Sequence, residues 1–290
     1  VSQRLAVRVG SAFAGEIAFD VLAPAALSPA SRLLFCLPGG GVNRGYFAMP
    51  GFDFAAAMVA AGHVVVLVDP PGVGQSTRPD DGYALSAAVM AAALHAVLER
   101  VRGDFPGLAV VGLGHSAGAM LAVVQHDLFA DFGALVLLCF GTNGLPQYFK
   151  PGIAERAADT AALQAGLAAI AADQFGAPYL PPLPDPRQTP AADAMRRVHD
   201  HVVTVIAMQA MAPGNVAAEM ARVTVPVFMA AGDRDMTGPP HLLPAAASAC
   251  ADLALHVVKA SGHHVFVSPG APRLYQRLAD WLATHAENDE

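Results

Sequence analysis

A series of short runs in this chain is apolar almost without interruption: Leu33 to Leu37, Val64 to Val68, Leu108 to Leu113, Leu135 to Phe140, Val227 to Ala231 and Leu253 to Val258. A strand with one wet face alternates apolar and polar residues. Runs that are apolar on both faces suit parallel strands covered by helices on both sides. Helical spacing fills the intervals. Leu85, Val89, Val97 and Val101 recur at that period, as do Met120, Leu121, Val124 and Leu128. A last helix carries Leu274, Leu278, Trp281 and Leu282, with Pro272 near its start. Residues 15–22 read as an early antiparallel strand. The alternation predicts an α/β fold built on a doubly wound, mostly parallel sheet. With 290 residues, 54% of them hydrophobic and 14% charged, the chain has enough apolar surface for one large core.

One stretch breaks the rhythm. About 80 residues separate the run ending at Phe140 from the one starting near Val225, and a plain connection needs far fewer. Two alanine-rich helical segments are expected there, around 153–175 and 190–212. A proline-rich link, Pro178-Tyr179-Leu180-Pro181-Pro182-Leu183-Pro184, joins them. The expected organisation is a core in two parts, 1–142 and 223–290, with a helical cap at 143–222. There is no internal repeat.

The formal charge is −7 and the basic residues form no run, which argues against a phosphate-reading surface for nucleic acid. No apolar stretch approaches the roughly 18 residues that span a bilayer, so no membrane partner is expected. The start, Val1-Ser2-Gln3-Arg4-Leu5, lacks the pattern of a secretory signal. Cys36 and Cys139 fall inside apolar runs, and three cysteines without close spacing suit neither a disulfide framework nor a zinc site. A reducing, cytoplasmic setting is the expectation.

The strongest chemical signal is Gly114-His115-Ser116-Ala117-Gly118, which follows an apolar run and opens a helix. A strand turning sharply into a helix holds its corner residue above the sheet. Glycines two residues to either side let the helix pass close to the strand. Ser116 then sits at the corner as a nucleophile, and the Ala117 amide is placed to donate to a developing oxyanion. A serine hydroxyl needs a neighbouring base. Two later strand ends supply partners in the order acid, then histidine. Asp233 and Asp235 lie in Ala231-Gly232-Asp233-Arg234-Asp235-Met236-Thr237-Gly238-Pro239. Asp235 is the preferred acid, with Asp233 read as serving loop amides. Ser261-Gly262-His263-His264-Val265-Phe266 offers His263, with His264 as the runner-up. A second oxyanion donor is expected at Gly40 or Gly41 in Leu37-Pro38-Gly39-Gly40-Gly41-Val42-Asn43.

Taken together, these segments resemble the α/β-hydrolase superfamily, in particular its capped serine esterase and lactonase-like members. The matching pieces are Pro38-Gly39-Gly40-Gly41, Asp69-Pro70-Pro71-Gly72-Val73-Gly74-Gln75-Ser76, Gly114 to Gly118, Gly232 to Pro239 and Gly262-His263. The resemblance spans nearly the whole chain. It too selects Asp235, through the proline four residues on, and implies that the Asp69 segment is a structural turn. The chain departs in carrying Pro38-Gly39 where many relatives have His-Gly. Epoxide hydrolases and haloalkane dehalogenases of this fold use aspartate where this chain has Ser116.

The expected chemistry is acyl transfer to water from a carboxyl ester or lactone of a small, largely apolar molecule, with no cofactor and no metal. His115, Tyr148, Phe149, Met208 and Met211 are the expected pocket residues, with Met195 nearby. Thioester, amide or C–C bond cleavage would use the same triad, and an aminopeptidase would need a carboxylate such as Glu155, Asp159 or Glu219. A receptor that kept the fold is the reading of a different class. His199 and His201 lie two apart, which on a helix does not bring ligands together.

Overall fold

A computed structural model describes residues 2–145, 147, 159–177 and 189–285. Its centre is an eight-stranded sheet: β1 (Ser2–Val9), β2 (Phe13–Leu22), β3 (Leu33–Leu37), β4 (Val64–Val68), β5 (Val110–His115), β6 (Ala134–Leu138), β7 (Val227–Gly232) and β8 (Leu253–Val258). The spatial order is β1-β2-β4-β3-β5-β6-β7-β8. β1, β2 and β4 are joined antiparallel, and every later pairing is parallel. The six apolar runs are the six parallel strands. β1 was not anticipated: its burial alternates between exposed and half-buried, and it lies at the sheet edge.

Two apolar clusters lie on opposite faces of the sheet. Leu33, Phe35 and Leu37 enter one, and Leu34 and Cys36 the other; Val64, Val66 and Val68 separate from Val65 and Leu67 in the same way. A strand's side chains alternate faces, so a run apolar at every position serves both layers. α2 (Ala87–Asp104) and α3 (Ala117–Phe129) cover the first face, and α1 (Phe54–Ala60) and α8 (Ala271–Thr284) the second. The Ser86 hydroxyl caps α2 by accepting from the Val89 N–H, and the Asp53 carboxylate caps α1 from Ala56. From Ala117 to Gln125 every residue of α3 is buried, as expected of a helix enclosed on all sides.

Between β6 and β7 the described residues form α4 (Thr160–Ala169), α5 (Thr189–Val198), α6 (Thr204–Met211) and α7 (Ala217–Met220). The expected helix over 190–212 is broken. Val202–Val203 pairs with Phe175–Gly176, and His199 bridges Val42. The Asn43 N–H donates to the Val198 carbonyl at 3.0 Å and the Asp200 N–H to the Gly41 carbonyl at 2.9 Å. These bonds to the loop after β3 take the backbone of 198–200 out of helical pairing. His199 and His201 therefore stand on no helix. Among the described residues neither belongs to a cluster of close metal-ligating side chains. No helix among the described residues is long and apolar enough to cross a membrane.

The turn at Asp69 anchors the early strands. Its carboxylate is fully buried, accepts from the Arg44 and Gln75 amides at 2.8 and 2.9 Å, and pairs with the Arg44 guanidinium. Arg44 also meets Asp20 at 2.7 Å. Arg44→Met leaves Asp69 buried without its cation. It is expected to destabilise the fold by about 3–5 kcal/mol, read as a lowered denaturation midpoint in urea. A midpoint equal to that of wild type would show that the amides suffice.

Candidate active site

The C-terminal ends of β3, β5, β6, β7 and β8 carry the loops singled out in the sequence. Ser116 follows β5 with φ 53 and ψ −120, a left-handed conformation rare for a residue with a side chain. Its N–H donates to the Leu138 carbonyl at 2.8 Å, which fixes the corner against β6. The flanking glycines are required sterically. A Cβ on Gly118 would stand 2.1 Å from the Leu37 carbonyl oxygen, and one on Gly114 would stand 2.3 Å from the Ala119 nitrogen. Only bare backbone lets α3 start this close to β3 and β5.

His263 sits in the loop after β8, and its Nδ1–H donates to Asp235 Oδ1 at 2.9 Å. Both side chains are almost wholly buried. A carboxylate only accepts, so this bond leaves Nε2 as the free basic nitrogen. Asp235 Oδ1 also accepts from the Thr237 N–H at 3.0 Å. Burial pushes the Asp235 carboxyl upward. The His263 ring, the Cys139 side chain and the Thr237 amide outweigh it and hold the group well below the usual carboxylate range. Asp235 is therefore ionised at any ordinary working pH. Asp233 lies outside this pair and accepts from the Ala260 and Ser261 amides, both at 3.1 Å, which steadies the loop leading to His263.

Ser116, His263, Ala117 and Gly40 line one cavity of about 120 Å³. The Ala117 and Gly40 N–H groups have no acceptor among the described residues. Gly41, the alternative donor, faces a neighbouring recess beside Pro38 and Val73 instead. His115 belongs to the cavity wall. Its Nε2–H donates to the His263 carbonyl at 2.9 Å and its ring packs on Tyr46 at 4.7 Å. Burial, followed by the charge of His263, brings its pKa down to about 3, so it is a neutral brace under His263. His264, the runner-up, is buried with neither ring nitrogen bonded among the described residues, and burial holds it well below its ordinary value.

Of the expected pocket residues, Met211 lines the cavity, together with Ala207 and Ala210 from α6. Met208 does not. It turns to the other side of α6 and packs with Leu163, Leu167 and Val205 between α4 and α6. Met195 packs α5 onto the core beside Ala191, Ala194 and Val198. Tyr148 and Phe149 lie outside the described residues, as does Glu155. Among the wall residues that were not anticipated are Cys139 and Thr237. Cys139 has φ 53 and stands at the cavity beside Asp235. Burial pushes its thiol well up, so it is protonated. Thr237 offers a buried hydroxyl without a partner among the described residues. Cys139 follows the end of β6 directly and Thr237 lies in the loop after β7, the one positional signal that could have named them.

Among the described residues, two groups could hold a metal ion. His115, Cys139 and His263 bring ligand atoms within 4.8 Å of one another; His263 Nδ1 serves Asp235 and His115 Nε2 serves a carbonyl, and each ring keeps its other nitrogen unbonded among the described residues. His95, Glu99 and Asp131 form the other, and Arg102 pairs with both of its carboxylates.

A model of the alpha/beta hydrolase family matches residues 34–272, which takes in the serine corner, the acid loop and the histidine. The chain belongs to the alpha/beta hydrolase family. No curated protein sequence matches this α/β hydrolase. Solved structures with the same fold include a thermophilic esterase from Thermogutta terrifontis, at 16% identity and TM-score 0.69 over 97% of this chain and 98% of that one. A monoacylglycerol lipase from Paleococcus ferrophilus aligns at 18% identity and TM-score 0.69 over 92% and 99%. A proline iminopeptidase from Mycobacterium smegmatis aligns at 18% and 0.67 over 99% and 100%. At these identities the likeness is one of fold.

Proposed function

We propose that this α/β hydrolase is a serine esterase that cleaves carboxyl esters or lactones with a small, neutral, largely apolar acyl group. The observation that carries the reading is the composition of the cavity at Ser116. Among the described residues its wall holds no carboxylate and no cation, and Phe140, Leu145, Ala210 and Met211 supply its apolar surface. His263 Nε2 takes the Ser116 proton as the oxygen attacks the carbonyl. The Asp235 carboxylate stabilises the imidazolium that forms. The Ala117 and Gly40 amides receive the oxyanion, a contribution of about 10²–10³ in rate per donor. His263 then protonates the leaving alkoxide, and later draws a proton from the water that attacks the acyl-enzyme.

The inserted segment 143–222 acts as a cap, with α6 forming the wall opposite the nucleophile. An aminopeptidase would need a carboxylate in this wall to hold the substrate amine. Asp159 instead caps α4 through the Ala162 N–H at 3.0 Å, and Glu219 faces Arg222.

A panel of p-nitrophenyl esters from acetate to dodecanoate, with lactones, thioesters and aminoacyl amides beside them, tests this. A cavity of roughly 150 Å³ is filled by benzene, so kcat/KM is expected to peak at short acyl chains and to fall at least about tenfold by dodecanoate. Turnover of aminoacyl amides without any ester or lactone would overturn the reading.

A further inference from the structure

A second cavity, of about 190 Å³, opens at the opposite edge of the sheet from Ser116. Its walls come from the beginnings of the parallel strands, Val110 and Val111 of β5 and Ala134 of β6, and from Trp281 and Leu282 of α8. Arg32, just before β3, also lines it and is only 5% exposed. The Arg32 guanidinium donates to the carbonyls of Pro29, Ser31 and His285 at 3.0–3.2 Å. No carboxylate pairs with it among the described residues. Asp252 meets His285, another lining residue, at 2.8 Å from its Nε2. Carbonyl dipoles satisfy N–H groups but do not neutralise a buried unit charge. The charge reaches the neighbouring His63, whose imidazole is held low by burial and by Arg32. The ring of Trp281 lines the same space, and its buried indole N–H has no acceptor among the described residues. Buried polar groups without partners are rare enough to call for a ligand or a role.

We propose that this cavity is a binding site for a small organic carboxylate, its anionic end held by Arg32 and its apolar body resting on Val110, Val111 and Leu282. A guanidinium's planar set of N–H donors matches the two acceptor oxygens of a carboxylate. The apolar floor selects an organic acid over a bare inorganic anion. The volume exceeds the roughly 150 Å³ that accommodates benzene. The inference is independent of the reaction assigned to Ser116.

Trp281 is the only tryptophan in the chain, so its emission reports on this cavity alone. Benzoate is the probe, titrated at constant ionic strength against chloride. The expected result is a saturable change in Trp281 emission with a dissociation constant on the order of 1 mM, the affinity a ligand of this size reaches. Chloride is expected to give no such change. Arg32→Met is expected to weaken binding about tenfold or more. Gly133→Val retains Arg32 and fills space in the cavity wall, where a Cβ meets only the Val110 carbonyl at 3.8 Å. It is expected to abolish the response, and it decides the matter if Arg32→Met does not fold. Ser116→Ala is expected to bind benzoate as wild type does. A wild type that gives no saturable change overturns the proposal. So does an equal response to chloride, a response that survives in Gly133→Val, or one lost in Ser116→Ala.

Discussion

Ser116→Ala is expected to lower kcat on any ester the protein turns over by about 10⁵–10⁶-fold, the range seen when a serine nucleophile is removed from an intact triad. Labelling by a fluorophosphonate should vanish with it. The change removes one oxygen from a residue whose backbone is already set by the Leu138 carbonyl and by the close passage of α3, so thermal unfolding should match wild type. KM should change little, because the cavity wall is untouched. Residual activity is the expected contribution of the Ala117 and Gly40 amides to attack by water. Persistent labelling in this variant would move the nucleophile elsewhere.

The second large effect lies at Asp235. Asp235→Ala removes both the charge and the acceptor of His263 Nδ1, and kcat is expected to fall by about 10⁴-fold. Asp235→Asn should do less harm. Oδ1 accepts from both His263 Nδ1 and the Thr237 N–H. An asparagine therefore keeps its carbonyl oxygen there and presents its amide toward Cys139. The imidazole retains its tautomer and loses only the negative charge beside it. The expected order of kcat is wild type, then Asn, then Ala, measured on one ester at one pH. An asparagine variant as slow as the alanine variant would mean that the amide has flipped and forced the wrong nitrogen to carry the proton.

Much of this arrangement could be read before any coordinates. Runs apolar at every position, such as Val64 to Val68, have no other stable home than a sheet covered on both faces, and they became β4 and its neighbours. The serine corner was legible because its two glycines answer a clash that any side chain would cause. What escaped depends on distant partners. Ser2–Val9 is a half-exposed edge strand, ordered by its pairing with β2 and by Val7, which joins the core cluster. Cys139 reads in the sequence as one more buried thiol. Its position beside Asp235 follows from the register that joins its N–H to the Ala230 carbonyl across β7. Met208 and Met211 are equally apolar and one turn apart. Only the rotation of α6 against α4 sends one to the interior of the insertion and the other to Ser116. The break after Val198 is likewise imposed from outside, by Gly41 and Asn43.

That break carries a consequence for anyone who would recombine this protein with others of its fold. The stretch 198–200 is a splint for the glycine loop: His199 bridges Val42, and Gly41 and Asn43 are each tied by backbone to it. Replacing the whole insertion to change specificity would remove that splint and leave the Gly40 amide less firmly aimed, whatever the new helices recognise. A graft that retains Val198, His199 and Asp200 with their spacing keeps the loop braced. The portable unit is thus smaller than the insertion, and its boundary falls inside what looks from the sequence like one continuous helix.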